Sequence, residues 1–201
     1  MPGVIRPRPY ISWSQLTVIE ASDKTYCDRY FLGKKFNSPA LSFGSVVAES
    51  LERGEATGDL NTDLILSGLP KLALADKEFR ATIKVGGVDI PLLAKIDMAS
   101  EDLAEFVELK TGVVPWTQAR ADSWGQITFY CVVAEVLTGK IPAKITLRWA
   151  QTAVGDDGAI FLTGFVKDFP TKRSAIDLLK MKNRIAKAWV RIGELTSEYL
   201  F

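Results

Sequence analysis

The sequence predicts a single domain of the α/β (α+β) class, in which an antiparallel three-strand meander belongs to a central mixed sheet flanked by helices. Three observations predict it. The chain has 201 residues, 47% hydrophobic and 24% charged, which is typical of a globular domain with its own core. Apolar residues follow a helical period in the first part of the chain, and the period changes to two from Phe79. The expected order is therefore helix, helix, three strands, helix, two strands, helix.

Residues 1–54 are expected to form a helical lead-in. From Ser14 to Leu32 the apolar side chains have helical spacing with an interruption around Ala21 to Lys24, which predicts one broken helix or two short ones. Ser42 can cap a second amphipathic helix that runs to about Gly54. The stretch from there to Pro70 is expected to be a loop with a short helix.

Residues 79–166 are expected to form the sheet core. The run Phe79 to Val85 alternates between apolar and polar residues and meets Gly86-Gly87, a signal for a two-residue hairpin. A second strand is expected over about Val88 to Met98, and a third from Leu103 to Lys110 after a polar turn. These three strands would form the meander.

The rest of the chain is expected to alternate helices with one more hairpin. Trp116 to Thr138 has the pattern of one long helix that ends before a glycine. Strands are expected over about Ala143 to Gln151 and Ala159 to Val166. A C-terminal helix is expected within residues 171–201, from Thr171 to about Glu198.

Composition excludes several classes of site. The sequence has no histidine, which rules out Ser-His-Asp and Cys-His triads and HExxH zinc sites. Cys27 and Cys131 lie far apart without a CxxC motif, so we expect no zinc cage and no iron–sulfur cluster. No apolar run approaches the ~20 residues that span a bilayer, and the first residues lack the apolar part of a secretory signal. We therefore expect a cytoplasmic protein with no membrane association.

Three charged residues interrupt the apolar strands of the meander. Glu108 and Lys110 share one face of the third strand, because alternate residues of a strand point to the same side. Asp97 ends the second strand, and the short turn between the strands allows its carboxylate to approach Glu108. The alternative is a surface ion pair between Glu108 and Lys110, worth about 0 to 1 kcal/mol.

Two close carboxylates repel each other, and a hard divalent cation such as Mg²⁺ or Mn²⁺ relieves that repulsion. Such a cation can lower the pKa of a bound water and offset the charge of a phosphodiester. Lys110 could orient that water or stabilise negative charge that develops during the reaction. These residue types therefore favour an open metal site, with phosphodiester hydrolysis as the chemistry.

Together with the motifs that accompany it, this triplet makes the chain resemble the RecB-type exonuclease branch of the PD-(D/E)xK nuclease superfamily. The resemblance combines Asp97, the run Glu108-Leu109-Lys110-Thr111-Gly112, and a helix that carries Gln126 and, four residues later, Tyr130. The run Ile11 to Leu16 is similar to the helical lead-in of that branch. The resemblance covers most of the chain and implies a restriction-endonuclease-like core.

The resemblance implies a metal-dependent DNA nuclease, and more narrowly an exonuclease of recombination, repair or phage DNA processing. Asp97, Glu108 and the Leu109 backbone carbonyl would ligate Mg²⁺ or Mn²⁺. Lys110 would help to activate the attacking water. The residues that would support the site or the DNA strand are Gln126 and Tyr130.

The lead-in helix departs from the branch at one metal ligand. The usual histidine position falls on Ala48, so that ligand is absent. Glu49, or Glu52 one turn later, could replace it; the alternative is that both are solvated charges on a helix. This departure leaves a second hypothesis open, in which the chain is a catalytically inactive DNA-binding or assembly subunit with the same fold.

Basic residues gather near the C-terminus, as a track along a DNA backbone would require. The expected contacts are Lys172, Arg173, Lys180 and Arg184. The alternative is a solvated helix face, since these residues are spread around the helix. Trp116 and Trp124 could stack on bases or belong to the core. A third hypothesis is a small RNA-binding or protein-binding domain in which Glu108 and Lys110 are only a surface ion pair.

DNA is the partner that the resemblance implies. A recombination or annealing protein is a further possible partner, and assembly into a homo-oligomer is compatible with relatives that form rings. The net charge of +1 neither requires nor excludes nucleic acid, because a basic face can be balanced by an acidic site elsewhere.

Overall fold

The computed structural model describes residues 6–35, 43, 50 and 56–200. Residues 199 and 200 are described by their backbone alone. Six strands form one mixed sheet that is flanked by helices, which confirms the predicted fold class and is consistent with a restriction-endonuclease-like core. The strands are β1 (Ile11–Ser12), β2 (Leu74–Val85), β3 (Val88–Ala99), β4 (Glu105–Gly112), β5 (Lys144–Val154) and β6 (Ile160–Thr171). The helices are α1 (Trp13–Ala21), α2 (Asp23–Tyr26), α3 (Leu60–Ser67), α4 (Gln118–Ser123), α5 (Gly125–Thr138) and α6 (Ala175–Leu200).

The helical lead-in breaks at Ser22, inside the predicted interruption. The Ser22 side chain caps α2 by accepting a hydrogen bond from the Thr25 N–H. Helix α2 then continues into a π-helical turn over Cys27–Phe31. The predicted helix of residues 42–54, which contains Glu49, lies outside the described residues except for its residues 43 and 50.

The meander forms as predicted, but its first two strands are longer than expected and its third strand begins and ends two residues later, at Glu105 and Gly112. Strands β2 and β3 pair antiparallel at every position except Asp76 and Asp97, and they are joined by the Gly86-Gly87 turn, where both glycines have positive φ. Strand β4 pairs antiparallel with β3 and parallel with β5, and β6 closes the sheet antiparallel to β5. The short strand β1 runs parallel to β3. The sheet is therefore mixed, with β4 near its centre.

Helix α5 forms the centre of the core. All eight residues from Ile127 to Ala134 are buried, because the helix packs between the sheet and α6. Apolar residues of α6 recur at helical spacing and cover it, among them Leu178, Met181, Ile185 and Ile192. Both cysteines, Cys27 and Cys131, are buried and unpaired. None of the described helices has the length and apolar composition needed to cross a membrane.

One predicted helix is two helices. The stretch from Trp116 to Thr138 is interrupted at Trp124, which has an extended backbone with φ −69° and ψ 112°. The carbonyls of Ala121 and Trp124, which lie on either side of the break, accept hydrogen bonds from the guanidinium of Arg173. The prediction of one long helix was wrong because a partner distant in sequence stabilises the break.

The C-terminal helix also begins later than predicted. Strand β6 continues to Thr171, five residues past the predicted strand end at Val166. Helix α6 begins at Ala175, where the Ser174 N–H and hydroxyl donate to the Asp177 carboxylate. The strand extends because β5 offers it a continuous antiparallel partner up to this point.

Candidate active site

The candidate site lies where the sheet divides. Strands β3 and β4 pair only at Met98 with Val107 and at Ala99 with Phe106. At the next position the Leu109 N–H donates to Asp97 Oδ2 at 2.7 Å instead of to a backbone carbonyl. The carboxylate of Asp97 thus takes the place of a ladder hydrogen bond at the division.

Asp97 and Glu108 face each other across this division. Their carboxyl groups lie close enough to interact. Burial and the negative charge of Glu108 raise the pKa of Asp97 to about 8. The two carboxyl groups are therefore close together, as strand register predicted. Their mutual repulsion costs electrostatic free energy.

Glu108 is the more deeply buried of the two carboxylates, at 1% exposure. Burial raises its pKa, and the Lys110 ammonium, which contacts Glu108 Oε1, opposes this rise. Glu108 Oε2 receives no hydrogen bond from an N–H or hydroxyl group in the described part of the chain. A buried carboxylate oxygen without a donor is costly unless a cation or water reaches it.

A chain of hydrogen bonds connects the carboxylates with the predicted helix motif on α5. Lys110 Nζ donates to Gln126 Oε1 at 2.8 Å, and Gln126 Nε2 donates to the Tyr130 hydroxyl at 2.6 Å. Burial, together with the charges of Glu108 and Asp97, raises the pKa of Tyr130 well above its usual value, so the phenol stays neutral. Gln126 therefore holds Lys110 in place, and Tyr130 orients Gln126.

Aromatic residues hold the start of α5 against the lead-in. A Cβ atom at Gly125 would lie 2.4 Å from the Trp13 indole, so only glycine permits this approach. Trp124 Nε1 donates to Gln126 Oε1 at 3.3 Å, and its ring meets Trp116 edge to face at 4.9 Å. Trp116 is buried and Trp124 partly so, which assigns both mainly to packing beside the site.

A further carboxylate near the site was not predicted. Asp76 lies on β2 opposite Asp97, is buried, and has a positive φ of 45°. Its Oδ2 forms an ion pair with Lys95 at 2.5 Å, and its charge raises the pKa of Glu108. The expected strand began at Phe79, so no sequence signal connected Asp76 with Asp97.

The donors at the division suit a hard divalent cation. Asp97 and Glu108 offer carboxylate oxygens, including the buried Glu108 Oε2 that lacks a donor. In the described residues, no three histidine, cysteine, aspartate or glutamate side chains form a set that could hold a metal ion. Glu49, the expected additional ligand, is outside those residues, so its role and that of the Leu109 carbonyl stay predictions.

The C-terminal basic residues have varied environments. Arg173 is 8% exposed and donates hydrogen bonds to Thr128, Thr171 and three backbone carbonyls, so its guanidinium is committed to packing rather than open to phosphate. Arg184 is exposed but paired with Glu20 at 2.7 Å. Lys172 and Lys180 are exposed, and their contact with DNA stays a prediction.

The fold has solved counterparts, although no protein-family model and no curated protein matches the sequence. A candidate exonuclease from Eubacterium rectale has a TM-score of 0.60 at 14% identity, with 96% of this chain and 83% of that chain covered. A phage-related exonuclease from Haemophilus somnus 129PT has a TM-score of 0.58 at 14% identity, with 94% and 96% covered. At these identities the likeness establishes a shared fold, which confirms the fold that the RecB-type resemblance implied.

Proposed function

We propose that this chain is a metal-dependent DNA nuclease that hydrolyses phosphodiester bonds. The observation that carries the proposal is the convergence of Asp97, Glu108 and Lys110 where the sheet divides, with one buried oxygen of Glu108 lacking a donor. Buried carboxylates without such a role would only cost stability. The fold shared with a candidate exonuclease and a phage-related exonuclease supports the same proposal.

Asp97 and Glu108 are the side chains that would hold Mg²⁺ or Mn²⁺. When bound there, the cation supplies charge to offset a phosphodiester and lowers the pKa of a water molecule. Lys110 then faces the reacting phosphate as a cation and donates a hydrogen bond to its oxygens or to water. Gln126 keeps the Lys110 ammonium at the site by accepting one of its protons.

The test is degradation of end-labelled linear DNA and of circular DNA with Mg²⁺, with Mn²⁺ and with EDTA. We expect loss of the linear DNA that requires metal and that Lys110→Met abolishes. A matched control is Lys144→Met. Lys144, the first residue of β5, forms an exposed ion pair with Glu105, the first residue of the strand that carries Lys110. If Lys110→Met and Lys144→Met cleave equally well, the role assigned to Lys110 is wrong.

The finer points of the proposal are an exonuclease mode and a place in recombination, repair or phage DNA processing. Sparing of circular DNA supports the exonuclease mode, and nicking of the circle contradicts it. An annealing or recombination protein as partner, a homo-oligomeric assembly and a cytoplasmic location belong to the same proposal.

A competing proposal is a DNA-binding or assembly subunit without catalysis. It is favoured by Ala48 at the usual histidine position and by the lack of a three-ligand set in the described residues. Binding of DNA without cleavage under every metal condition, equal in the wild type and Lys110→Met, would support this subunit and contradict the nuclease.

A further inference from the structure

Arginine and tyrosine side chains gather where the N-terminal segment crosses the edge of the meander. The Arg–Tyr surface, as we name it, consists of Arg8, Tyr10, Arg29, Tyr30 and Arg80. The three arginines are exposed and the two tyrosines are half-buried. This surface does not include any of the C-terminal basic residues that the sequence suggested as DNA contacts.

Cation–π contacts connect these side chains into one surface. The Arg8 guanidinium lies 5.9 Å from the Tyr10 ring and 5.3 Å from the Tyr30 ring, and it donates to the Tyr10 hydroxyl at 3.1 Å. Arg80 lies 5.4 Å from the Tyr10 ring, and Arg29 lies 5.5 Å from the Tyr30 ring. Positive charge and aromatic rings therefore alternate across the surface.

The charge of this surface is available to a partner. Arg8 and Arg29 form no ion pair with any carboxylate in the described part of the chain, whereas Arg80, 65% exposed, forms a long ion pair with Glu78 at 3.6 Å. The C-terminal arginines differ, because Arg184 is paired with an acidic residue at 2.7 Å. Unpaired arginines on aromatic rings are favoured at nucleic-acid surfaces, because each offers donors to phosphate.

A groove along β2 adjoins the surface at Arg80. Arg80 pairs with Leu93 of β3, which lies four residues before Asp97, or about 13 Å along the strand. A groove of about 520 Å³ extends from Arg80 to Asp76, the residue opposite Asp97, and is also lined by Lys77, Glu78 and Lys95. The groove therefore reaches the β2 residue that lies beside Asp97, although neither Asp97 nor Glu108 lines it.

We propose that the Arg–Tyr surface binds a single strand of DNA and leads it along this groove toward Asp97 and Glu108. Tyrosine rings stack on unpaired bases, whereas paired bases are already stacked on each other, so the tyrosines indicate a single strand. The arginines contact the phosphates. This inference rests on the proposed function and specifies its substrate as an unpaired strand.

The test is binding of a fluorescent single strand, and of the matching duplex, in EDTA at several salt concentrations. The double variant Arg8→Gln with Arg29→Gln removes two phosphate contacts from exposed positions. At ~0.7 released ions per contact with a single strand, its salt slope should fall by about 1.4, and affinity at ~0.1 M salt should fall about 20-fold. Lys140→Gln with Lys187→Gln removes the same charge from other exposed positions and should change neither.

Tyr10→Leu provides an independent arm that leaves the charge unchanged. Loss of one stacked base should weaken binding of the single strand about tenfold and leave duplex binding within twofold of wild type. Equal thermal melting of the variants and the wild type verifies that the fold is intact.

Two results would overturn the inference while leaving the nuclease in place. One is that the wild type cleaves DNA in a metal-dependent way, while the Arg8 and Arg29 double variant binds single strands as tightly as the wild type does. The other is equal weakening of duplex and single strand together with no effect of Tyr10→Leu. A wild type that neither binds nor cleaves any DNA would instead refute the proposed function, and the inference with it.

Discussion

Asp97 offers the sharpest test of the electrostatics of the site. In the folded, metal-free protein, burial and the charge of Glu108 raise its pKa from 3.8 to about 8. Between these two values the folded chain holds a proton that the unfolded chain has lost. Because the folded state binds more protons, the free energy of unfolding falls as the pH rises through this window.

Asp97→Asn removes the ionisable group and keeps an oxygen that can accept the Leu109 N–H. One pKa unit corresponds to about 1.4 kcal/mol, so the variant can gain at most about 4 kcal/mol over wild type at pH 7. The Asp97 side chain is half-buried, and residual contact with water reduces this value. We expect a gain of about 2 kcal/mol at pH 7 and no difference near pH 4.

Urea unfolding of both proteins in EDTA, from pH 4 to pH 8, measures this difference. Asp102→Asn is a control of opposite sign, because hydrogen bonds from Ser100 and the Ala104 N–H lower the pKa of Asp102. Addition of Mg²⁺ or Mn²⁺ should stabilise the wild type and not Asp97→Asn. A stability difference between Asp97→Asn and wild type that is the same at pH 4 and pH 7 would refute the assigned cause.

The remaining predictions concern the supports of the site. Gln126→Leu should lower the cleavage rate about 10-fold to 100-fold in a DNA degradation assay, because Lys110 loses the acceptor that holds it, while Gln126→Glu should retain more activity. Tyr130→Phe should lower the free energy of unfolding by about 1 kcal/mol in a urea titration, since Gln126 loses an acceptor. Arg173→Met should cost about 3 kcal/mol by the same measurement, because five hydrogen bonds of a buried cation are lost. The exposed pair of Arg184 with Glu20 should contribute only about 0 to 1 kcal/mol, so Arg184→Met is its control.

The meander and the proximity of its charged residues could be predicted from local pattern. The alternation from Phe79, the Gly86-Gly87 turn and the short polar turn before β4 each act within a few residues. Together they bring Asp97 opposite Glu108 with little freedom of register. The fold class followed from the same patterns, and the structure confirms it.

The break in the predicted helix and the role of Arg173 could not be predicted in this way. Arg173, far along the chain, stabilises the break at Trp124 by donating to the carbonyls of Ala121 and Trp124. Because its guanidinium makes these contacts, Arg173 is not open to DNA phosphates as the sequence had suggested. A basic side chain has the same sequence pattern whether it faces solvent or a buried carbonyl.

Periodicity, turn residues and strand alternation thus determined where most helices and strands form and which charged residues of the meander face each other, because these preferences act over short stretches of chain. Only the tertiary structure decided the partners of the long charged side chains. It paired Arg184 with Glu20, brought Asp76 opposite Asp97, and left Arg8 and Arg29 on tyrosine rings. The physical reason is that an arginine or a carboxylate meets whatever group long-range packing places within its reach, and a single sequence does not encode that neighbour locally.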